Sequence, residues 1–185
     1  DIEWNHKPKA SLQRPQMVQA VYPFTSLPFS PTKMGIGLFV AEVLYHAVKN
    51  EPDTHAIFEY TMRSIEWFDM CEDGFANFHL VFLLHLTHFL GFMPNAYEAR
   101  PGYYFDLRGA CFTRQQPPHP DFLSPTDASL VPKILRMRYS NMRFFHFSGA
   151  ERSRLLRHIE TFYRIHIAGF PELKSLDVLR EVWSS

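Results

Sequence analysis

The feature that most constrains the fold of this chain is an apolar segment that runs from Phe78 to Met93. It is interrupted by His79, His85 and His88. It also falls short of the roughly 20 uninterrupted apolar residues that a membrane span requires. We therefore predict a helix buried in a protein core, and no membrane association.

Start and stop signals divide much of the remaining chain into further helices. Ser30-Pro31 and the capping-box pattern Ser148 to Glu151 each mark a helix start. The predicted helices follow Ser30, Asp53, Asn77 and Ser148, with a shorter one over 129–139 and a last one over 176–183. This pattern predicts an all-α helical bundle without internal repeats.

The first predicted helix has apolar residues on nearly every face. Met34, Leu38, Ala41, Tyr45 and Val48 recur at helical spacing, and other apolar residues fill the positions between them. A helix that is apolar all round is usually buried. We therefore predict a central position for this helix as well.

One segment departs from the helical pattern. Residues 103–107 alternate as a short strand, the chain turns at Gly109, and it returns through Cys111 and Phe112. This predicts one small β-hairpin within an insertion of about 92–124. The other cysteine, Cys71, lies forty residues away from Cys111 with no C-x-x-C motif, which is typical of a reducing cytosol.

Charge is unevenly distributed along a chain whose formal net charge is zero. Residues 133–164 carry eight Lys and Arg against two Glu, a local excess of six positive charges. On the helix after Ser148, Arg154, Arg157 and Arg164 fall within about 80° of one another, away from the apolar face. A phosphate-binding surface and a solvated arginine face both fit this pattern.

Sequence motifs for catalysis are missing from the chain. It has no P-loop, no G-x-S-x-G and no H-E-x-x-H. His85 and His88 could share a helix face, but two ligands without a neighbouring carboxylate or thiolate make a poor metal site. We predict no enzymatic activity. A metal-dependent hydrolase is disfavoured, and a helical protein–protein interaction module remains an alternative.

Four segments of the chain resemble the C-terminal region of the RecO family of bacterial DNA repair proteins. They are "SPTKMGIGLFVAEVLYHAVKN", "NFHLVFLLHLTHFLGFMPN", "YYFDLRGACF" and the stretch from "RMRYSNMRFFHF" to "FPELKSLDVLREVW". The resemblance implies that residues 1–7 are a remnant of the last strand and linker of an OB-fold. It also implies that residues 8–185 form the helical domain of the family.

The resemblance also gives the hairpin a meaning. In many family members it holds a structural zinc through two C-x-x-C pairs, whereas this chain offers only Cys111 and a speculative His119. Structural zinc takes four ligands. We therefore expect no zinc or other cofactor, and a hairpin held by the packing of Tyr103, Phe105 and Phe112.

The function implied by the resemblance is that of a recombination mediator. Such a protein binds and anneals single- and double-stranded DNA, and with RecR loads recombinase onto DNA coated by single-strand-binding protein, in the bacterial cytoplasm at the nucleoid. The candidate DNA-binding residues are Arg154, Arg157, Arg164, Arg136, Arg138 and Arg143. The candidate pocket for the acidic C-terminal tail of single-strand-binding protein comprises Phe82, Leu86, Phe89, Arg100 and Arg108.

Overall fold

The computed structural model describes residues 1–9, 11–49, 51–176 and 179. These residues form six α-helices: α1 Pro31–Ala47, α2 His55–Met70, α3 Phe78–Phe89, α4 Pro125–Ala128, α5 Val131–Leu135 and α6 Gly149–His166. Most of the last predicted helix, over 176–183, lies outside the described residues.

The predicted caps of α1 and α6 are confirmed. The Ser30 hydroxyl accepts a hydrogen bond from the amide of Lys33. At α6, the Ser148 hydroxyl accepts from the amide of Glu151, and the Glu151 carboxylate accepts from the amide of Ser148. Each bond satisfies a backbone donor that the first helical turn leaves unpaired.

Helix α3 lies at the centre of the core, as its apolar sequence predicts. It packs against α1, α2, α5 and α6. The hydroxyl of Tyr163, in α6, donates to the carbonyl oxygen of Leu83 at 2.7 Å. His79 is fully buried, and burial lowers its pKa to about 3, so the imidazole is neutral at physiological pH.

The prediction of an all-α fold is wrong, because the described residues contain two antiparallel sheets. Strand β1, Ile2–Trp4, pairs with β2, Pro15–Val18, so that Ile2 faces Val18 and Glu3 faces Met17. Strand β2 is short and opens with a proline, which gives no alternating pattern in the sequence. Its strand conformation depends on pairing with a segment more than ten residues away.

The second sheet contains the predicted hairpin and one further strand. Strands β3, Tyr104–Asp106, and β4, Cys111–Thr113, form the hairpin. Strand β5, Phe122–Leu123, joins the other edge of β3 and gives the order β4-β3-β5. A two-residue strand within a proline-rich loop is too short to show a period in the sequence.

The bounds predicted for the helix over 129–139 are wrong, although α5 lies within them. The chain forms α4 and α5 instead, and α5 ends at Leu135 with Pro132 in its first turn. Beyond it, the amide of Arg138 donates to the side-chain oxygen of Asn141 and so forms a turn in place of a helical bond. Asparagine side chains commonly compete with helical hydrogen bonds in this way.

Helix α1 is peripheral and not central, which corrects the expectation drawn from its composition. Its inner face contributes Ile36, Phe39, Val40 and Val43 to the core. Its outer face remains exposed although it is apolar. Burial on one side alone does not require polar residues on the other side.

The segment before α1 is fixed to the end of α2 by Asp69. Its carboxylate accepts hydrogen bonds from the amides of Thr25, Ser26 and Leu27 at 2.8, 2.9 and 2.6 Å. The ammonium group of Lys33 donates to the carbonyl oxygens of Asp69 and Cys71. A buried lysine therefore caps the C-terminal end of α2, where the helix dipole favours a positive charge.

None of the described helices combines the length and the apolar character needed to cross a membrane.

Candidate nucleic-acid and partner interface

Two of the predicted arginines project from the outer face of α6. Arg157 and Arg164 are exposed and form no ion pair with any residue that the structure describes. They lie seven residues apart, which is two helical turns or about 10.5 Å along the axis. The two guanidinium groups are therefore exposed to solvent and follow one another along the helix axis.

Arg154, by contrast, has a partner. Its Nε lies 2.8 Å from Oδ1 of Asp127, and Nε2 of His158 lies 3.2 Å from Oδ2 of the same carboxylate. Burial lowers the pKa of His158 although Asp127 opposes the shift. Helix α4 brings Asp127 to α6, so the charge of Arg154 is already compensated within the fold.

The remaining predicted arginines lie on the segment that follows α5. Arg136, Arg138 and Arg143 are all exposed. Nε of Arg136 donates to the carbonyl oxygen of Pro132. The guanidinium carbon of Arg143 lies 4.9 Å from the ring centre of Phe144, a cation–π contact at the surface.

Arg138 lies in a groove of about 320 Å³ that three parts of the fold enclose. Trp67 comes from α2, His85 from α3 and Tyr139 from the turn after α5, and the rings of Trp67 and Tyr139 stack at 5.0 Å. Nη1 of Arg138 donates to the carbonyl oxygens of Leu135 and Met137. The guanidinium group is thereby held at the wall of an aromatic groove.

The protonation of His85 fits this arrangement. Burial, and secondly the charge of Arg138, lower its pKa. Nη1 of Arg138 and Nε2 of His85 lie 3.1 Å apart, so a neutral imidazole can share the two Nη1 hydrogens with the carbonyl oxygens of Leu135 and Met137. The groove therefore combines an aromatic wall with one oriented cation. Sequence reasoning missed Trp67 and Tyr139 as groove residues, because no local pattern connects them.

The residues predicted for the tail pocket lie in two parts of the fold. Phe82 and Leu86, in α3, are fully buried. Phe89 is 38% exposed and stacks on Tyr60 in α2. The apolar face of α3 that these residues share packs against other helices, which is the usual fate of so apolar a helix.

The two cations predicted for the same pocket lie in or near the three-stranded sheet. Nη2 of Arg108 lies 2.6 Å from Oδ2 of Asp121, and the two side chains form an ion pair. Arg100 is exposed in the loop before β3, close to Tyr97 and Tyr103.

The hairpin holds a free thiol near an acid–histidine pair. Nε2 of His119 lies 3.4 Å from Oδ1 of Asp106. Burial, and secondly Asp106 and Glu98, raise the pKa of Cys111, which keeps the thiol protonated at neutral pH. In the part of the chain that the structure describes, no three His, Cys, Asp or Glu side chains are placed to hold a metal ion.

Comparison with known proteins decides the family. Residues 28–177 match the family described as "Recombination protein O C terminal". The chain belongs to the RecO family of DNA repair and recombination proteins. The predicted resemblance is thereby confirmed.

Individual RecO relatives extend the match over the whole chain. The "DNA repair protein RecO" of Phocaeicola vulgatus is 42% identical over 184 residues, which cover 100% of this chain and 76% of the relative. That of Bacteroides fragilis is also 42% identical, over 99% of this chain and 76% of the relative. That of Flavobacterium psychrophilum is 32% identical over 100% and 76%. No solved structure gives a significant match.

Proposed function

We propose that this chain acts as a recombination mediator in bacterial DNA repair. In this role it binds and anneals single- and double-stranded DNA, and with RecR loads recombinase onto DNA coated by single-strand-binding protein. It does so in the cytoplasm, at the nucleoid, without catalytic turnover. The observation that carries the proposal is the match of residues 28–177 to the RecO family.

The exposed arginines of α6 support a DNA contact. Arg157 and Arg164 each present a planar guanidinium, which can donate two parallel hydrogen bonds to a phosphate. Arg136 and Arg143 extend the positive surface on the segment after α5. Arg154 contributes less, because its contact with Asp127 would have to be broken or shared for it to bind phosphate.

Replacing Arg157 and Arg164 together with alanine is expected to weaken duplex binding and to flatten its salt dependence. Each phosphate contact that is lost lowers the slope of log K against log salt concentration by about 0.9, so two contacts lower it by about 1.8. Fluorescence anisotropy with a labelled duplex between about 50 and 200 mM salt measures this slope.

Arg154→Ala is the matched control, since it removes one arginine from the same helix. It should change the salt slope by well under one unit because Asp127 already compensates this charge. A double variant with an unchanged slope would show that α6 does not contact DNA. Absence of DNA binding by the unmodified chain would favour the alternative, an interaction module without DNA binding of its own.

The groove at Arg138 supports a site for the acidic tail of single-strand-binding protein. A tail that combines carboxylates with a terminal aromatic residue needs an apolar pocket beside a cation. Trp67, Val81 and Tyr139 provide the apolar wall, and Arg138 provides the cation. We place the tail here because Phe82 and Leu86 are buried.

A labelled acidic tail peptide is expected to bind the chain with micromolar affinity that weakens with salt. Arg138→Ala should raise the dissociation constant about tenfold or more, because it removes a charge-assisted hydrogen bond at the groove. Anisotropy titration measures both values.

Arg143→Ala removes an arginine of the same segment outside the groove and should leave peptide affinity within about twofold of the unmodified chain. Equal losses in the two variants would indicate general electrostatic attraction and no specific tail site. Circular dichroism of both variants checks that the fold is retained.

A further inference from the structure

A short turn between α5 and α6 presents an arginine and a phenylalanine together at the surface. Residues Met142–Phe144 form this turn, which is a single turn of 3-10 helix. Arg143 and Phe144 are both exposed, Phe144 to 66%. The guanidinium carbon of Arg143 lies 4.9 Å from the centre of the Phe144 ring. A single exposed phenylalanine is ordinary on a protein surface, so its meaning depends on how it is held and on what surrounds it.

Buried residues on both sides hold this turn in place. Met142 is 1% exposed and belongs to the core, and the side chain of Phe145 packs against the same core. The side-chain amide of Asn77, a buried residue, donates to the carbonyl oxygens of Met142 and Phe145 at 3.4 and 2.6 Å. Because the backbone is already fixed, Phe144 loses little conformational freedom when it binds a ligand.

The position of the Arg143 side chain is restricted as well. Gly74 has a φ of +70° and lies against its stem, since a Cβ on residue 74 would come within 2.8 Å of the Arg143 Cβ. Arg143 forms no ion pair with any of the residues that the structure describes. Its guanidinium therefore lies beside the Phe144 ring with its charge uncompensated by an acidic side chain.

The charge of this part of the chain favours a polyanion as the ligand. Residues 128–150 contain no Asp or Glu and four cationic side chains, namely Lys133, Arg136, Arg138 and Arg143. An acidic peptide would also be attracted, but its terminal aromatic residue needs an apolar pocket, whereas Phe144 protrudes from the surface. A protruding aromatic ring beside a cation instead fits a planar base that is joined to a phosphate.

We propose that Phe144 stacks on an unpaired base of single-stranded DNA while Arg143 binds the adjoining phosphate. The inference rests on the proposed DNA-binding function and assigns to this turn a contact that only single strands can make. Proteins that bind single strands typically combine cations along the backbone with aromatic rings on which the bases stack. The bases of a duplex are already paired and stacked, so they offer no open face to Phe144. The arginines of α6 contact phosphates, which both forms of DNA present.

Replacing Phe144 with alanine is expected to weaken the binding of single strands selectively. The dissociation constant for a labelled strand of thymidines should rise at least about fivefold, because a stacking contact is lost. Affinity for a labelled duplex should stay within about twofold of the unmodified chain. Phe144→Trp should keep the affinity for the single strand, since the larger ring stacks equally well. Fluorescence anisotropy measures these values.

The salt dependence separates the two parts of the contact. Phe144→Ala should leave the salt slope of single-strand binding unchanged, because the ring contacts no phosphate. Arg143→Ala should lower this slope by about 0.7, the contribution of one phosphate contact in a single strand. Phe58→Ala is the matched control, since Phe58 is 62% exposed on α2, outside the basic segment, and its loss should change single-strand affinity by less than about twofold.

Photocrosslinking locates the contact directly. A strand that carries iodouracil in place of thymine should crosslink to Phe144, as identified by mass spectrometry, and circular dichroism checks that each variant is folded. Unchanged single-strand affinity in Phe144→Ala, or equal losses for single strand and duplex, would overturn the stacking contact and leave the proposed DNA binding in place. A loss of tail-peptide affinity alone would assign Phe144 to the protein partner and overturn it too. Failure of the unmodified chain to bind either form of DNA would overturn both proposals.

Discussion

Replacing Asp69 with alanine is expected to lower the free energy of unfolding by about 3 to 5 kcal/mol. The side chain is 1% exposed, and its carboxylate accepts three backbone hydrogen bonds from Thr25, Ser26 and Leu27. Without it, three partly buried hydrogen bonds are lost, and each such loss costs up to about 1 to 3 kcal/mol before relaxation and rehydration. Urea denaturation followed by circular dichroism measures the change.

Replacing Asp69 also affects the surroundings of Lys33, which adds to the loss of stability. Lys33 is 3% exposed, and its ammonium group donates to the hydroxyl of Ser26, the residue whose amide donates to the Asp69 carboxylate. Removing the carboxylate loosens the segment at Ser26, whose hydroxyl accepts a hydrogen bond from this buried cation. Glu72→Ala is the control, since it removes an exposed carboxylate three residues away and should change stability by less than about 0.5 kcal/mol.

The pH dependence of stability gives an independent check on Asp69. Burial alone would raise the pKa of this carboxyl, but hydrogen bonds from Thr25, Leu27 and Ser26 outweigh it and hold the pKa well below its usual range. A depressed pKa contributes stability that is complete above the unfolded value of about 3.9 and is lost as the pH falls towards the folded value. Asp69→Ala should therefore flatten the loss of stability below about pH 4. Equal acid slopes in both proteins would contradict this account.

The sequence predicted those helices whose formation depends on residues close together in the chain. Ser30 and Ser148 cap their helices through bonds to residues three positions away. The apolar character of α3 predicted its burial in the same way. Strands β2 and β5 escaped prediction because their backbone partners lie in distant parts of the chain. Such short segments become strands only when tertiary contacts bring an edge to them.

The candidate interfaces likewise combine features that nearby residues determine with features that depend on residues far apart in the sequence. Helical periodicity placed the arginines of α6 opposite its apolar face, and two of them are exposed there. The pairing of Arg154 with Asp127 could not be read from the sequence, because 27 positions separate the two residues and α4 had not been recognised. The groove at Arg138 draws on α2, α3 and the turn after α5, so it exists only in the folded chain.

Replacing Phe105 with alanine is expected to destabilise the chain by about 3 to 5 kcal/mol, because the hairpin depends on packing. The Phe105 side chain is buried, its ring meets that of Phe112 at 5.1 Å, and it lies 6.4 Å from the ring of Phe162 in α6. It also lines a cavity of about 40 Å³ between the sheet, α5 and α6. Truncation would enlarge a space that the surrounding side chains already leave incompletely filled. Thermal and urea denaturation measure the loss.

Two experiments test whether packing or metal binding stabilises the hairpin. They are the Cys111→Ser substitution and the removal of metal with a chelator. The Cys111 thiol is half-buried, and burial raises its pKa, whereas a zinc ligand must be a thiolate. We expect Cys111→Ser to cost less than about 1 kcal/mol and a chelator to leave the unfolding curve unchanged. Elemental analysis should find far less than one zinc per chain. If Phe105→Ala were tolerated while chelation or Cys111→Ser unfolded the hairpin, a metal and not the aromatic cluster would be holding it.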